Sequence, residues 1–417
     1  MENKKKTTLP LEGILVIDNS WVIAGPHGTR LLSDLGATVI RVESSKKRDG
    51  IRFDHTRFGV KDAFQEGGWV FQENNRDALG LQLNMKSEKG QEIYRKLVAM
   101  ADVVVSNVTP KAVRSMGIDF ETLSQINPRI VTINASGLGD YGCKKDTMIF
   151  AAALNCIAGF SYTIGYEGEE GFGIAVSTTD DLGGAMVAFS ILEALEARDR
   201  TGEGQFIDLS EAENMLGLTG STFLEWNYNK TQSGPTGDHQ YYGWNCPHNA
   251  YPSAGPDQWI AISCGSDEEY AAFVKVAGED VPELKEERFA KYEGRKAAEK
   301  ELDELVSNFT AKHNKFILAE QLQAAGVSAA PVNRAFEMFA DEHLNARGYW
   351  QPNHLPVNDP RQPDFMISAD VPKVMPREER HFRPAPALGQ DNTYILKELL
   401  HLSDEEIQAA ADDEAFV

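Results

Sequence analysis

Residues 13–43 read GILVIDNSWVIAGPHGTRLLSDLGATVIRVE, and this stretch decides the fold. "GILVID" is a short apolar run of strand type, and after "NSWVIAGP" the segment "HGTRLLSDLG" carries apolar residues at helical spacing. "ATVIRVE" is a second strand with an acid at its end. A strand, a helix and a strand in so short a span make a βαβ unit, whose two strands run parallel.

The same alternation continues outward. "SEKGQEIYRKLVAMA" (87–101) has helical spacing, "DVVVSN" (102–107) is a third strand, "DFETLSQINP" (119–128) a short helix and "RIVTINASG" (129–137) a fourth strand. "GGAMVAFSILEALEARDRTGEGQ" (183–205) reads as a long helix, then "FIDLS" (206–210) as a strand and "EAENMLGLTG" (211–220) as a helix. The pattern predicts an α/β protein, a doubly wound, mostly parallel Rossmann-like sheet with helices on both faces. In such folds ligands bind at the carboxyl ends of the strands. Turn residues and aromatics crowd "NKTQSGPTGDHQYYGWNCPHNAYPSAGPDQ" (229–258), the expected entry to a smaller α+β domain containing the strand "WIAISC" (259–264). The change of composition after about Gly220 marks where that domain is expected to begin.

With 417 residues, 42% of them hydrophobic, the chain buries a large core. Its 63 acids against 41 bases give a formal charge of −22, a field that repels nucleic acid and anionic membranes. No apolar run is long enough to span a bilayer, and "MENKKKTTLPLEG" lacks the apolar core of a secretory signal, so a cytoplasmic location is expected. Cys143, Cys156, Cys246 and Cys264 are widely spaced, and the nine histidines show no ligand spacing, so no metal is expected. His248 in "NCPHNAYP" reads as a polar turn residue. An anionic small molecule would need local bases such as those of "SSKKRDGIR" (44–52) or "CKKD" (143–146). "GPHG" (25–28) is not the G-x-G-x-x-G of a dinucleotide fold and reads as a tight turn. "TTDDLGG" (178–184) sets Asp180 and Asp181 side by side before an apolar helix. One acid at a helix start needs no explanation beyond the free N–H groups there; the second is either a solvated neighbour or a reacting group.

Resemblance to a known family chooses between these. "PLEGILVIDNSWVIAGPHGTRLLSDLGATVIRVE" (10–43) resembles the amino-terminal signature of the family III CoA-transferases. The likeness continues in residues 81–139, 180–216, 322–350 and 383–407, which is most of the chain, in the family's order. The resemblance implies that Asp180, in the pattern D-x-x-[small]-G ahead of the helix ending in "RTGEGQ", is the nucleophile, and that Asp181 is its solvated or capping neighbour. It implies coenzyme A contacts at Val22 and Ala24 in the first loop, Leu83 and Lys86 in "LNMK", and Asn107 in "VSNV". The pattern departs from the family at Ser44, Ser115 and Met148, where basic residues stand in other members; Lys46, Lys47, Arg48, Arg114, Lys144 and Lys145 lie close by. Phe150 and Ala151 stand where the family's racemases carry a proton-transferring histidine–aspartate pair, which favours transfer over racemisation. "DNSWVIAGP" (18–26) and residues 244–270 look most like the branch acting on aryl-substituted succinates, with succinyl-CoA as donor and Trp21, Phe150, Tyr241, Tyr242 and Trp244 as an aromatic lining. The family further implies a division into 1–222 for the first part of the large, coenzyme A-binding domain, 223–335 for the small domain inserted in it and 336–417 for a return to the large one. It also implies an interlocked, ring-like dimer, as a homodimer or with a homologous subunit. Two alternatives stand beside an active transferase subunit: a catalytically reduced structural subunit, and an acyl-CoA racemase or isomerase.

Overall fold

In a computed structural model, which describes residues 9–53, 67–173, 177–239, 243–354, 365–374 and 380–417, the amino-terminal alternation becomes one parallel sheet. Its strands are β1 (Leu15–Asp18), β2 (Thr38–Glu43), β3 (Leu79–Gln82), β4 (Val103–Ser106), β5 (Val131–Ser136) and β6 (Phe206–Ser210), in the order β3-β2-β1-β4-β5-β6. All five neighbouring pairs are parallel. The order reverses between β1 and β4, so the loops leaving these two strands part at their carboxyl ends and open a crevice there.

The connecting helices are α1 (Ala24–Asp34), α2 (Trp69–Asn74), α3 (Glu88–Val98), α4 (Pro110–Met116), α5 (Phe120–Ile126), α6 (Ala151–Ile157), α7 (Phe160–Thr163) and α8 (Thr178–Thr201); α9 (Glu211–Leu216) and α10 (Gly220–Asn229) follow β6. Alternation along the strands feeds two cores. Leu15, Ile17, Ile40, Val42, Leu81 and Val104 pack with Ile93 and Leu97 of α3 on one face. Val16, Val39, Val103, Val105, Val131 and Ile133 pack with Leu32 of α1 and Val187, Ile191 and Leu195 of α8 on the other. Each such side chain, fully buried, contributes roughly 1.5–3 kcal/mol.

Two features of the sheet are not evident from periodicity. β3, "LGLQ", is a four-residue edge strand whose glycine backbone is tied to the returning tail: the Gly80 N–H donates to the Asp391 carboxylate and the Asp391 N–H to the Gly80 carbonyl. α1 begins at Ala24, ahead of the expected "HGTRLL", because Pro26 sits in its first turn, where a missing N–H costs nothing.

The chain divides into two compact units. The first comprises residues 1–161, 173–230 and 345–417 and holds the parallel sheet. Its carboxyl-terminal part adds a hairpin of β10 (Trp350–Asn353) and β11 (Phe365–Ser368), entered from α16 (Glu342–Ala346), and then α17 (Asp404–Asp412), whose Ala410 joins the first core. The second unit comprises residues 162–172 and 231–344. There β7 (His248–Pro252), β8 (Trp259–Ser263) and β9 (Ser328–Pro331) form an antiparallel sheet. The helices α11 (Asp267–Ala277), α12 (Tyr292–Ala297), α13 (Glu299–Thr310), α14 (Lys315–Ala324) and α15 (Ala335–Ala340) complete this unit, around a core that includes Tyr251, Ile260, Phe273, Leu302 and Phe309. Cys246 and Cys264 lie in this core as free thiols, pushed up to about 12 by burial, so neither is a nucleophile at neutral pH. Among the described residues no helix is long and apolar enough to cross a membrane.

Candidate active site

The site is built at the carboxyl edge of the parallel sheet. β1 ends in Asp18, whose buried carboxylate accepts from the Ser20 N–H at 2.8 Å and the Thr29 hydroxyl at 3.0 Å, bending the chain sharply toward α1. The loop is then clasped from the neighbouring strand. Asn107, just past β4, accepts the Trp21 N–H at 2.8 Å and donates to the Trp21 carbonyl at 2.7 Å. Both ends of one amide side chain are spent on the backbone N–H and carbonyl of one residue, across the crevice where the strand order reverses. The next residue, Val22, has φ +65°, a left-handed conformation that costs a β-branched residue roughly 1–3 kcal/mol. Its N–H donates to the Asp49 carboxylate at 2.9 Å, which holds it there.

Asp49 belongs to a buried ionic cluster. Arg41 meets Asp49 at 2.7 Å, Asp18 at 3.4 Å and Glu43 at 3.3 Å, and Arg52 meets Glu43 at 2.5 Å. Burial raises the Glu43 carboxyl, but Arg41 and Arg52 overcome this and hold it at about 2. Arg52 of "SSKKRDGIR" is therefore part of the scaffold and no ligand for an anion. Lys46 and Lys47 of the same stretch are exposed; Lys46 pairs with Glu414, and the Lys47 ammonium lies 4.7 Å from the Trp21 ring centroid.

Across the sheet, α8 starts at Thr178, earlier than its apolar run suggests, so Asp180 and Asp181 both lie in its first turn. Ser177 makes no side-chain cap there. The helix approaches α1 at backbone distance: a Cβ at Gly184 would stand 2.6 Å from a ring carbon of His27 and 2.9 Å from the Ala24 carbonyl, and one at Gly28 would stand 2.5 Å from Val187. These two glycines let the start of α8 lie directly on the start of α1, beside Ala24.

The paired acids have different surroundings. Asp181 is exposed, with an oxygen 3.7 Å from His27 Nδ1. Burial and the neighbouring Arg30 lower His27 to about 4, so this contact is no ion pair at neutral pH. Asp180 is half-buried and shares a carboxyl–carboxyl hydrogen bond with Glu211, the first residue of α9. Burial pushes Asp180 up to about 6, the charge of Asp181 adds to the shift, and the hydrogen bond from Glu211 opposes it. Glu211, 5% exposed, is driven well above the usual carboxylate range by burial and by Asp180. Near neutral pH the pair thus holds one proton, on Glu211, and leaves Asp180 ionised. On the next helix of the edge, α6, buried Asn155 accepts the hydroxyl of Thr179 and fixes the turn that carries Asp180. Neither Glu211 nor Asn155 is marked by the sequence; the one available signal is an acid directly following the strand "FIDLS".

The remaining expected coenzyme A contacts lie along the same edge of the sheet. Ala24 opens α1, and Leu83 and Lys86 follow β3. Leu83 is 1% exposed and packed in the core, so its side chain is unavailable to a ligand, whereas Lys86 is exposed. Ser44 donates to the Val417 carbonyl, and Arg114 lies 3.9 Å from Asp140. Phe150 is exposed ahead of α6 and Ala151 opens that helix; neither side chain can move a proton. Of the expected aromatic lining, Tyr241 and Tyr242 lie outside the described residues, and Trp244 is exposed. Among the described residues, no group of three or more histidines, cysteines, aspartates or glutamates could hold a metal ion. In the second unit His248 is a strand residue lining an open groove of about 750 Å³, its Nδ1 2.9 Å from the Ser263 hydroxyl.

A half-buried carboxylate beside a protonated one, with a loop-and-helix cradle at the sheet edge, suits nucleophilic acyl chemistry. The family model for CoA-transferase family III matches residues 11–392. The chain belongs to CoA-transferase family III. Among its relatives is the succinyl-CoA–L-malate CoA-transferase beta subunit of Chloroflexus aurantiacus, 28% identical over 407 residues, covering 96% of each chain. The succinate–glutarate CoA-transferase of Agrobacterium fabrum is 29% identical over 405 residues, covering 96% of this chain and 97% of its own. A solved CAIB/BAIF family protein from Brucella suis superposes with a TM-score of 0.83 at 26% identity, over 94% of this chain and 100% of that one. The enzyme is thus a CoA-transferase, and its substrates are an acyl-CoA and a carboxylic acid.

Proposed function

We propose that this CoA-transferase moves coenzyme A from succinyl-CoA to a second dicarboxylic acid, with Asp180 as the transient carrier. The observation that carries this reading is the state of Asp180: ionised near neutral pH, half-buried, and beside the first-loop cradle. An Asp180 oxygen attacks the thioester carbonyl carbon; the C–S bond breaks, and coenzyme A leaves as thiolate with a mixed anhydride behind it. The thiolate then attacks the Asp180 carbonyl carbon, the anhydride C–O bond breaks, and succinate leaves, so that Asp180 becomes a thioester of coenzyme A. The acceptor carboxylate reverses these two steps and restores Asp180. A carboxylate enters and a carboxylate leaves, so no net proton transfer is required.

Val22, Ala24, Asn107, Leu83 and Lys86 form the proposed coenzyme A contacts. Asn107 acts by holding the first loop, Leu83 by placing the chain after β3, and Lys86 as an exposed cation suited to a phosphate. The donor follows from the relatives, both named for succinate or its CoA ester. Those relatives are named for malate and glutarate as partners, which supports a short dicarboxylic acceptor; an aryl-substituted succinate is the finer reading from the sequence resemblance. Assaying succinyl-CoA with malate, glutarate and benzylsuccinate in turn separates these acceptors.

The interlocked dimer is part of the same proposal. α10 buries none of its residues although it carries Phe223, Leu224, Trp226 and Tyr228, between 48% and 83% exposed, a face that asks for a covering surface. The test of the whole reading is Asp180→Ala: turnover lost by at least about a thousandfold with the thermal transition retained. Turnover by the purified chain alone separates an active subunit from a structural one that depends on a homologous partner.

A further inference from the structure

We propose that Glu211 is the positioning residue for Asp180: from the start of α9 its carboxyl donates an O–H hydrogen bond to one Asp180 oxygen, and keeps donating when that oxygen becomes the carbonyl of the acylated enzyme. This rests on Asp180 being the carrier, and assigns a role to a residue outside the expected site.

The placement is geometric. Glu211 follows β6 directly, and the next residue, Ala212, docks through its N–H on the Gly137 carbonyl at 3.0 Å, just beyond β5. Ser210 caps the turn by accepting the Glu213 N–H at 3.3 Å. The Glu211 side chain therefore leaves a fixed point and lies on α8: its Cγ and Cδ are 3.5 and 3.6 Å from where a Cβ of Gly183 would be. Asp180 lies one turn before Gly183 on that helix, and the two carboxyls meet in a hydrogen bond.

A hydrogen bond between two carboxyl groups needs one proton, and the surroundings decide where it resides. Glu211 is almost fully buried, while Asp180 is nearer solvent and in the first turn of a long helix, where the free N–H groups favour a negative charge. The other ionisable groups at this end of the elements packed here are Asp181 on α8, His27 and Arg30 on α1, Asp208 on β6 and Glu213 on α9; α6 carries none but Cys156, Asp34 ends α1, and Glu193, Glu196, Arg198, Asp199 and Arg200 lie three or more turns farther along α8. Of these, Asp181 acts on Asp180, and Arg30 acts on Asp181. Cation pairing therefore does not account for Glu211; its proton does.

The consequence is chemical. In the resting enzyme the donor occupies one Asp180 oxygen and leaves the other free to attack. In the anhydride and the thioester the same donor polarises the Asp180 carbonyl, and it stabilises the oxyanion each time thiolate or acceptor adds to that carbon. A single oxyanion donor of this kind is worth roughly 10²–10³ in kcat.

The experiment compares wild type, Glu211→Gln, Glu211→Leu and Asp180→Ala as full-length enzyme, with kcat and KM for succinyl-CoA followed against pH and a thermal melt for each. Glu211→Gln keeps an N–H donor and is expected within about tenfold of wild type in kcat, with the alkaline limb set by loss of the Glu211 proton removed. Glu211→Leu is expected to lose about 10²–10³ in kcat, with KM changed far less. Wild-type kcat in Glu211→Leu overturns the proposal, as does an alkaline limb that persists unchanged in Glu211→Gln, a readout that stands even where Glu211→Leu does not fold. An active Asp180→Ala instead sinks the carrier reading itself, which keeps the two failures apart.

Discussion

Asp180 and Asp181 are chemically identical neighbours, and burial separates them. Asp181 faces solvent beside a neutral His27, whereas Asp180 turns toward Glu211 and is pushed up to about 6. Its ionised form is disfavoured in the fold, so it lowers stability above pH 6, and that cost vanishes as the pH falls toward 4. Asp180→Asn is therefore expected to stabilise the protein by on the order of 1–3 kcal/mol at pH 7.5, and by much less at pH 4.5, as read by denaturant unfolding at both values. The same titration governs rate: kcat/KM falls below about pH 6, because the nucleophile is then protonated. The pair "DD" was legible in the sequence as a candidate, and the family pattern selected Asp180. Glu211 was not legible, because its meaning depends on the carboxyl end of β6 lying beside the start of α8, a juxtaposition of residues far apart in the chain.

At the scale of elements, the α1–α8 contact and the first loop place the site. Gly184→Ala would drive a Cβ into His27 and the Ala24 carbonyl, so it is expected to cost about 1–3 kcal/mol and to raise KM for the acyl-CoA by displacing the loop. Asn107→Leu removes both hydrogen bonds that hold Trp21. With two backbone groups left unpaired at the crevice, it is expected to raise KM more than it lowers kcat, measured by initial rates. Periodicity reported β1, α1, β2, α3, β4, β5 and β6 because each is apolar at one clear spacing. It missed β3, which has a glycine and only four residues, and it set the start of α8 too late, because polar "TTDD" carries no apolar signal. Burial of Arg52 was equally hidden: a basic run reads as a solvated loop until Glu43 is seen to hold it.

For the whole molecule, the acidic surface and the bare aromatic face of α10 point in different directions. The charge of −22 keeps copies apart in general, so association must come from a specific apolar surface. Light scattering after gel filtration is expected to give twice the 46.1 kDa of one chain, or a hetero-oligomer with a homologous subunit, and Trp226→Asp to shift it toward one chain. Peptide mass spectrometry of enzyme incubated with succinyl-CoA and quenched with hydroxylamine tests Asp180 as the carrier. A hydroxamate on Asp180, absent without succinyl-CoA, is the predicted result; turnover with Asp180 unmodified and the adduct on another side chain would contradict it.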